Sequence, residues 1–377
     1  MKQKKLKILI IFLTFYLLSL NFSIAAEWSD PVKLVGLSGD EMFPSISPDG
    51  NQLAFVEYLY DNDKTVFDGI WLMDLKTNEQ KIILTSDELL EVCSSSGVTE
   101  FYSMEVWRLS WNPNGKEILF SAYCRISGGD KVVRFGSIST VTITFKDLSA
   151  GEHPSWSPDG SKIVYLYKHG PTVAGCQRCG KELWVMNKDG SDAHMIYNVY
   201  GNNSLSAVED CKILVNDTIL WPSFSPDGKK ILFVINHAAE NSSINLINAD
   251  GSAFKQLIIG SDFNNPQFTS DGKEIIFLKT INNQTTVWSM SSDGTNPKLL
   301  SSSKELKLNG LSVSPDGKKI FFPMASDGSG FDIWMMSREP SGTEFPEKTK
   351  YLLYKIIVLI ATVAIIAFFV YQIKKTR

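Results

Sequence analysis

Six segments of the chain share one pattern of polar and apolar positions between residues 43 and 323. In each copy a short β-prone run precedes a turn of the Ser-Pro-Asp-Gly type and a second, strongly apolar run, as in HPSWSPDGSKIVYL. The proline presets φ, the aspartate can cap nearby amides, and the glycine accepts a left-handed conformation. Each copy therefore predicts a β-hairpin. The turn residues that we predict to have this structural role are Asp49, Gly50, Asp159, Gly160, Asp227, Gly228, Asp271, Gly272, Asp316 and Gly317.

A second pair of β-prone segments follows most of the hairpins, for example at residues 183–186 and 287–290. Four strands per repeat are typical of a propeller blade, so the pattern predicts an all-β, six-bladed β-propeller over residues 27–338. Blade two fits least well, because Asn114 replaces the turn aspartate and only residues 141–145 suggest outer strands. The sixth repeat lacks a fourth strand, and residues 30–35 are predicted to supply it, which removes an open sheet edge.

The repeats resemble those of the TolB-like family of β-propellers, which are related to WD repeats but carry Pro-Asp-Gly in place of Trp-Asp. The resemblance covers residues 27–338 and recurs in all six copies. It implies a fold and a binding role rather than one particular reaction.

The two chain ends have the composition of targeting segments. Four lysines precede an apolar run at residues 8–20, and small residues follow it, so residues 1–26 are predicted to be a signal peptide. An uncleaved N-terminal anchor is the alternative. Residues 351–373 are long enough to cross a bilayer as a helix, after a linker at 339–350. The basic tail at 374–377 predicts a cytoplasmic C-terminus.

These ends together predict a single-pass protein of the cell membrane whose propeller lies outside the cytoplasm. A C-terminal sorting segment that is later removed is the alternative for the second end. The 377 residues are 44% hydrophobic and have a net charge of −4, which favours a large core and argues against a nucleic-acid partner. The sequence contains no Gly-x-Ser-x-Gly motif, and 39 residues follow Arg338, so we expect no serine peptidase domain.

Long insertions between the predicted strands all fall on one face of the propeller, which we call the long-loop face. They are residues 57–69, 85–107, 122–137, 167–181 and 197–220. Loops clustered on a rigid scaffold are where binding sites are commonly built, so we predict that this is the working face. The predicted binding residues at the channel mouth are Glu41, Arg108, His153, Trp221 and Asn265.

Five cysteines map to the same face: Cys93, Cys124, Cys176, Cys179 and Cys211. In an oxidising compartment they are predicted to form disulfides. Cys93 could pair with Cys124, and Cys211 could pair with Cys176 or Cys179. The alternative is a zinc knuckle at Cys176 and Cys179, with His169 and Cys211 completing a tetrahedral set.

Two functions remain open at this point. The first is a non-enzymatic, membrane-tethered propeller without a cofactor, which binds a protein, a peptide or a glycan of the envelope through its long-loop face. The second is a propeller lyase or hydrolase that uses zinc or calcium at the channel mouth or at the Cys176/Cys179 knuckle. No matched acid and base pair is evident among the predicted mouth residues.

Overall fold

A computed structural model describes residues 28–61, 64–94, 101–126, 131–140, 145–167, 182–199, 217–237, 241–282, 284–301, 310–325 and 330–338. Within these ranges the strands form six four-stranded antiparallel sheets. The innermost strands of neighbouring sheets contact one another all the way round, from blade one through blade six and back to blade one. This confirms the predicted six-bladed β-propeller.

The strands are numbered in chain order. Blade one contains β2 (Asp40–Ile46), β3 (Gln52–Asp61), β4 (Lys64–Asp74) and β5 (Gln80–Thr85), and helix α1 (Ser86–Ser94) follows it. Blade two contains β6 (Phe101–Trp111), β7 (Glu117–Ile126), β8 (Lys131–Ser139) and β9 (Phe145–Ala150). Blade three contains β10 (Glu152–Trp156), β11 (Lys162–Tyr167), β12 (Glu182–Asn187) and β13 (His194–Tyr197).

Blade four contains β14 (Thr218–Phe224), β15 (Lys230–Asn236), β16 (Asn241–Asn248) and β17 (Lys255–Ser261). Blade five contains β18 (Phe263–Phe268), β19 (Glu274–Ile281), β20 (Gln284–Ser291) and β21 (Lys298–Leu299). Blade six contains β22 (Ser312–Val313), β23 (Lys319–Ala325), β24 (Phe331–Ser337) and the N-terminal strand β1 (Val32–Val35).

The second strand of each blade is covered on both faces by neighbouring blades. In β11, for example, Ile163, Val164, Tyr165 and Leu166 are all buried. A strand that is covered on both faces needs apolar residues at consecutive positions, which explains the continuous apolar run after each turn.

The N-terminal strand closes the ring as predicted. Strand β1 pairs antiparallel with β24, with Val32 opposite Met335 and Val35 opposite Ile333. An ion pair between Lys33 Nζ and Asp332 Oδ1 at 2.8 Å lies at this seam. Since β1 and β24 come from opposite ends of the propeller, their pairing joins its first and last blades.

The Pro-Asp-Gly turns have the predicted structural role. In blade three, Gly160 N donates to Ser157 O at 2.9 Å, and Asp159 Oδ1 accepts hydrogen bonds from the Ser157 hydroxyl at 2.6 Å and the Ser161 amide at 3.0 Å. These donors stabilise the carboxylate and lower the pKa of Asp159 to about 2. Corresponding bonds are made by Asp49, Asp227, Asp271 and Asp316.

Replacing Asp159 with alanine is expected to lower the free energy of unfolding by about 1 kcal/mol, because the hydrogen bonds to its carboxylate are lost. Asp159→Asn should lose less, since the equivalent Asn114 accepts from Lys116 N at 2.8 Å. Because the folded pKa is lowered, the charge contribution is present at neutral pH and disappears as pH falls from about 4 towards 2. Urea unfolding at several pH values measures this, and equal losses in both variants would contradict it.

Three insertions that were predicted to be loops contain regular secondary structure, and one of them, 85–107, includes helix α1 and the start of β6. Residues 57–69 belong to a long β3–β4 hairpin, in which Tyr58 lies opposite Phe67. Residues 122–137 contribute to β7 and β8. Of residues 141–145, which were predicted to supply the outer strands of blade two, 141–144 lie outside the described residues, and Phe145 begins β9, which forms the outer pair together with β8. The β-prone side chains of these insertions continue the ladders of their blades, and Tyr58 donates its hydroxyl to Val106 O of blade two at 2.6 Å.

The predicted signal peptide (1–26), linker (339–350), membrane helix (351–373) and tail (374–377) lie outside the described residues. Most of the insertions at 167–181 and 197–220 also lie outside them. Within the described ranges, no helix combines the length and the apolar character that are needed to cross a membrane.

Candidate functional site

Six equivalent residues of the innermost strands form what we call the inner ring, each seven positions before the glycine of its turn. They are Phe43, Arg108, His153, Trp221, Asn265 and Gly310. All have a positive φ, between +46° and +126°. The β-ladder shifts register at this position in the first five blades. In four of those blades the next residue is proline, which cannot donate to the ladder and therefore favours a bulge.

The inner ring holds five non-glycine residues in a conformation that L-residues adopt only at a cost of about 1–2 kcal/mol each. Such residues persist where surrounding packing determines the backbone, and they cluster at functional sites. Blade six has glycine because a Cβ at Gly310 would lie 2.9 Å from Phe43 Cα of blade one. The ring is thus shaped by close approach between neighbouring blades.

Side chains of the inner ring and its neighbours contact one another across the channel. His153 packs edge-on against Trp221, with ring centroids 4.7 Å apart, and against Trp107 at 6.4 Å. Arg108 Nη2 of blade two donates to Pro222 O of blade four at 2.7 Å. Asn265 Nδ2 of blade five donates to Leu311 O of blade six at 3.2 Å. These contacts join blades two, three and four to one another, and blade five to blade six, at the level of the ring.

A central cavity of about 400 Å³ extends from the inner ring to the hairpin turns. Its walls carry Trp111, Trp156 and Phe224, and its outer rim carries the turn prolines Pro48, Pro113, Pro158, Pro226 and Pro315. The first three of these prolines are exposed, so the cavity opens on the face of the short hairpin turns. This face lies opposite the long-loop face that was predicted to be the working face.

The structure assigns different positions to the five predicted mouth residues. Arg108, Trp221 and Asn265 line the cavity, whereas His153 belongs to the inner ring but is buried between tryptophans. Glu41 is not among the cavity residues, because it lies two positions before Phe43, the ring residue of blade one. Counting seven positions back from every turn glycine would have identified the remaining members, Phe43 and Gly310. Other lining residues that sequence reasoning missed are Trp156, Ser223 and Gln267.

Arg108 determines the electrostatics of the cavity. It is the only charged side chain among the described residues that line it, and only 8% of its surface is exposed. Burial disfavours the charged guanidinium and lowers the pKa of Arg108 to about 9. Its Cζ lies 5.8 Å from the centre of the Trp221 ring, where a cation–π contact partly replaces lost hydration.

The order of the strands in the six sheets decides the fold. The chain is a six-bladed β-propeller. No family model matches the sequence, and no curated protein matches it.

Solved structures that resemble this propeller include TolB from Acinetobacter baumannii, at 17% identity and a TM-score of 0.49, over 71% of this chain and 55% of that chain. The chain therefore spans little more than half the length of that protein. A putative TolB from Agrobacterium tumefaciens is similar at 16% identity and a TM-score of 0.49, over 80% of this chain and 91% of that one.

An oligogalacturonate lyase in complex with manganese is similar at 15% identity and a TM-score of 0.49, over 80% of this chain and 78% of that chain. Likeness at these identities concerns the fold alone.

Buried acids lie in the propeller at the start of blade one, away from the cavity. Glu41 is fully buried, and its Oε1 accepts a hydrogen bond from Leu37 N at 2.8 Å. Burial, followed by the charges of Asp332 and Glu57, raises the pKa of Glu41 to about 8. Burial and the nearby Asp68 also raise the pKa of Glu57. In the described part of the chain, no group of three or more His, Cys, Asp or Glu side chains is placed to bind a metal ion.

Of the five cysteines, Cys93 and Cys124 lie within the described ranges. Helix α1, which carries Cys93, packs against β7, which carries the buried Cys124, so the backbone is compatible with their predicted pairing. The side chain of Cys93 lies outside the described residues, as do Cys176, Cys179, Cys211 and His169. The disulfides and the alternative zinc knuckle therefore stay predictions.

Proposed function

We propose that the chain is a membrane-tethered, extracytoplasmic propeller that acts as a non-enzymatic scaffold and binds a protein, a peptide or an envelope polymer. The tether rests on the composition of residues 1–26 and 351–377. The binding role rests on one observation, which is the central cavity. Its volume of about 400 Å³ is in the range of ligand pockets, and its wall combines apolar and aromatic residues with a similar share of hydroxyl, amide and other polar groups.

The chemistry of the cavity wall supports binding over catalysis. Acid–base catalysis needs titratable groups within hydrogen-bond reach of a substrate. Among the described lining residues Arg108 alone is charged, and the others are hydroxyl, amide, apolar or aromatic residues. Glu41 and Glu57, whose pKa values are raised, are not among the lining residues. We therefore place the binding site in the cavity rather than on the long-loop face.

Blocking the cavity is expected to abolish partner capture by the full-length protein in its native membrane. The change is Ser155→Trp, because Ser155 is a buried lining residue and an indole would fill space there without adding charge. The readout is site-specific photocrosslinking from the exposed rim position Pro158, followed by mass spectrometry.

The matched control is Gln80→Trp, which introduces the same indole at an exposed position of the outer strand β5. We expect one crosslinked species that persists in this control and disappears in Ser155→Trp. Equal capture by both variants would show that the cavity is not the binding site. The melting temperature of each variant separates a blocked cavity from a lost fold.

A further inference from the structure

Arg108 carries a buried positive charge in the cavity wall, and the described residues that line the cavity supply no counterion for it. Arg108 Nη2 donates to Pro222 O, but Nη1 is buried and has no hydrogen-bond partner among the described residues. No acidic side chain is among the described residues that line the cavity. A buried charge is unfavourable unless it is paired and hydrogen-bonded, so this arrangement calls for an anion.

Two further donors of the same cavity lack partners in the described part of the chain. They are the hydroxyl of Ser223 and the indole Nε1 of Trp156, and both atoms are buried. Ser223 directly follows Pro222, whose carbonyl accepts from Arg108. Most buried polar groups in proteins are hydrogen-bonded, so unpaired donors in one cavity indicate a ligand with acceptor oxygens.

A comparison between blades shows that the unpaired indole of Trp156 does not follow from its position in the repeat. Trp111 and Trp156 occupy the same position in blades two and three, four residues before the turn glycine. Trp111 Nε1 donates to Ser45 O of blade one at 2.8 Å. Trp156 Nε1 has no such acceptor among the described residues, although both side chains line the cavity. The lack of a partner is therefore not a general property of the repeat.

We propose that the central cavity binds a carboxylate group, which Arg108 holds through its guanidinium while Ser223 and Trp156 donate to its oxygens. A planar carboxylate matches the guanidinium fork. One buried cation balances the single charge of a carboxylate, whereas a doubly charged phosphate would keep one negative charge uncompensated. The aromatic wall at Trp111 and Phe224 can pack against an apolar ligand body.

This inference rests on the proposed binding function and specifies its ligand chemistry. The carboxylate could belong to a free organic acid or to the chain end of a bound peptide. Full-length protein is therefore titrated with benzoate, with N-acetylphenylalanine as a mimic of a peptide end, with their neutral amides and with inorganic phosphate. Calorimetry and the fluorescence of the cavity tryptophans report binding.

We expect saturable binding of a carboxylate, at least tenfold weaker binding of the matching amide, and weaker binding of phosphate. Tighter binding of N-acetylphenylalanine than of benzoate would identify a peptide end as the source, and the reverse order would identify a free acid. Absence of carboxylate binding, equal binding of the amides, or tighter binding of phosphate would overturn the inference.

Variants locate the carboxylate in the cavity. Arg108→Gln should weaken binding at least tenfold, and Lys229→Gln, which removes the same charge at an exposed turn, should not change it. Because Arg108 also links blades two and four, Ser223→Ala and Trp156→Phe are tested as variants that keep this link. Each should weaken binding about threefold to tenfold, the range of one lost hydrogen bond. Binding that none of these variants weakens would place the anion elsewhere and overturn the inference.

The two proposals fail in different ways. Partner capture that survives Ser155→Trp removes the proposed scaffold role of the cavity, whether or not carboxylates bind there. Capture that depends on the cavity, together with an absence of carboxylate binding, keeps the scaffold role and removes only the carboxylate inference.

Discussion

Replacing Val35 with aspartate is expected to lower the free energy of unfolding of the propeller by about 3–5 kcal/mol, the range for an uncompensated buried charge. Val35 is 1% exposed and belongs to an apolar cluster with Phe55, Phe321 and Ile333. A carboxylate there would be desolvated beside the strand pair that closes the ring. Loss of β1 would also leave β24 with an unpaired edge.

The matched control is Val32→Asp on the same strand, where the side chain is 59% exposed. This variant should stay within about 0.5 kcal/mol of the wild type, as surface substitutions commonly do. Urea unfolding measures both, and hydrogen exchange of the β1 and β24 amides shows whether the loss is local to the seam. If Val35→Asp does not fold, Val35→Ala should still destabilise more than Val32→Ala. Similar losses at the two positions would show that β1 does not secure the ring.

Replacing Glu41 with glutamine is expected to flatten the dependence of stability on pH. The folded pKa of Glu41 is raised from 4.5 to about 8, chiefly by burial. Its contribution to stability is therefore fully present below about pH 4.5 and is lost as pH rises towards 8. At about 1.4 kcal/mol per unit of pKa, the loss in the wild type is at most about 5 kcal/mol.

Glutamine cannot ionise. The free energy of unfolding should therefore fall less between pH 5 and pH 8 in Glu41→Gln than in the wild type. Part of the slope will remain, because the pKa of Glu57 is raised as well. The charges of Lys33 on β1 and Asp332 on β24 also influence the pKa of Glu41, and both residues are unchanged in the variant. Glu79→Gln, on the exposed surface, is the control. Unfolding midpoints between pH 5 and 9 test this, and parallel profiles for wild type and Glu41→Gln would contradict it.

The sequence predicted those features that depend on adjacent residues. Each Pro-Asp-Gly turn contains its own donors and acceptors within five residues, as at Ser157 and Asp159. The apolar run after each turn predicted the second strand of a hairpin, and the missing fourth strand of the last repeat predicted the pairing of β1 with β24. Blade two was the exception, because its turn is atypical and its outer strands have no regular alternation.

The candidate site was only half predictable, because its residues come from distant parts of the chain. Of the predicted mouth residues, Arg108, Trp221 and Asn265 line the cavity, whereas Glu41 was predicted at a place that Phe43 takes in the structure. A shift of two residues keeps a side chain on the same face of a regular strand, whereas the bulge beside Pro44 gives Phe43 a different position in the ladder.

The sequence alone determined the six hairpins, the blade count and the strand that closes the ring, because turn chemistry and apolar runs are local. The tertiary structure decided which face carries the cavity and that Arg108 is buried in the cavity wall. Arg108 is a candidate binding group because residues more than a hundred positions away, such as Pro222, help to bury its guanidinium. None of the described residues that line the cavity supplies a counterion. Burial and pairing are properties of the assembled blades, and no local segment encodes them.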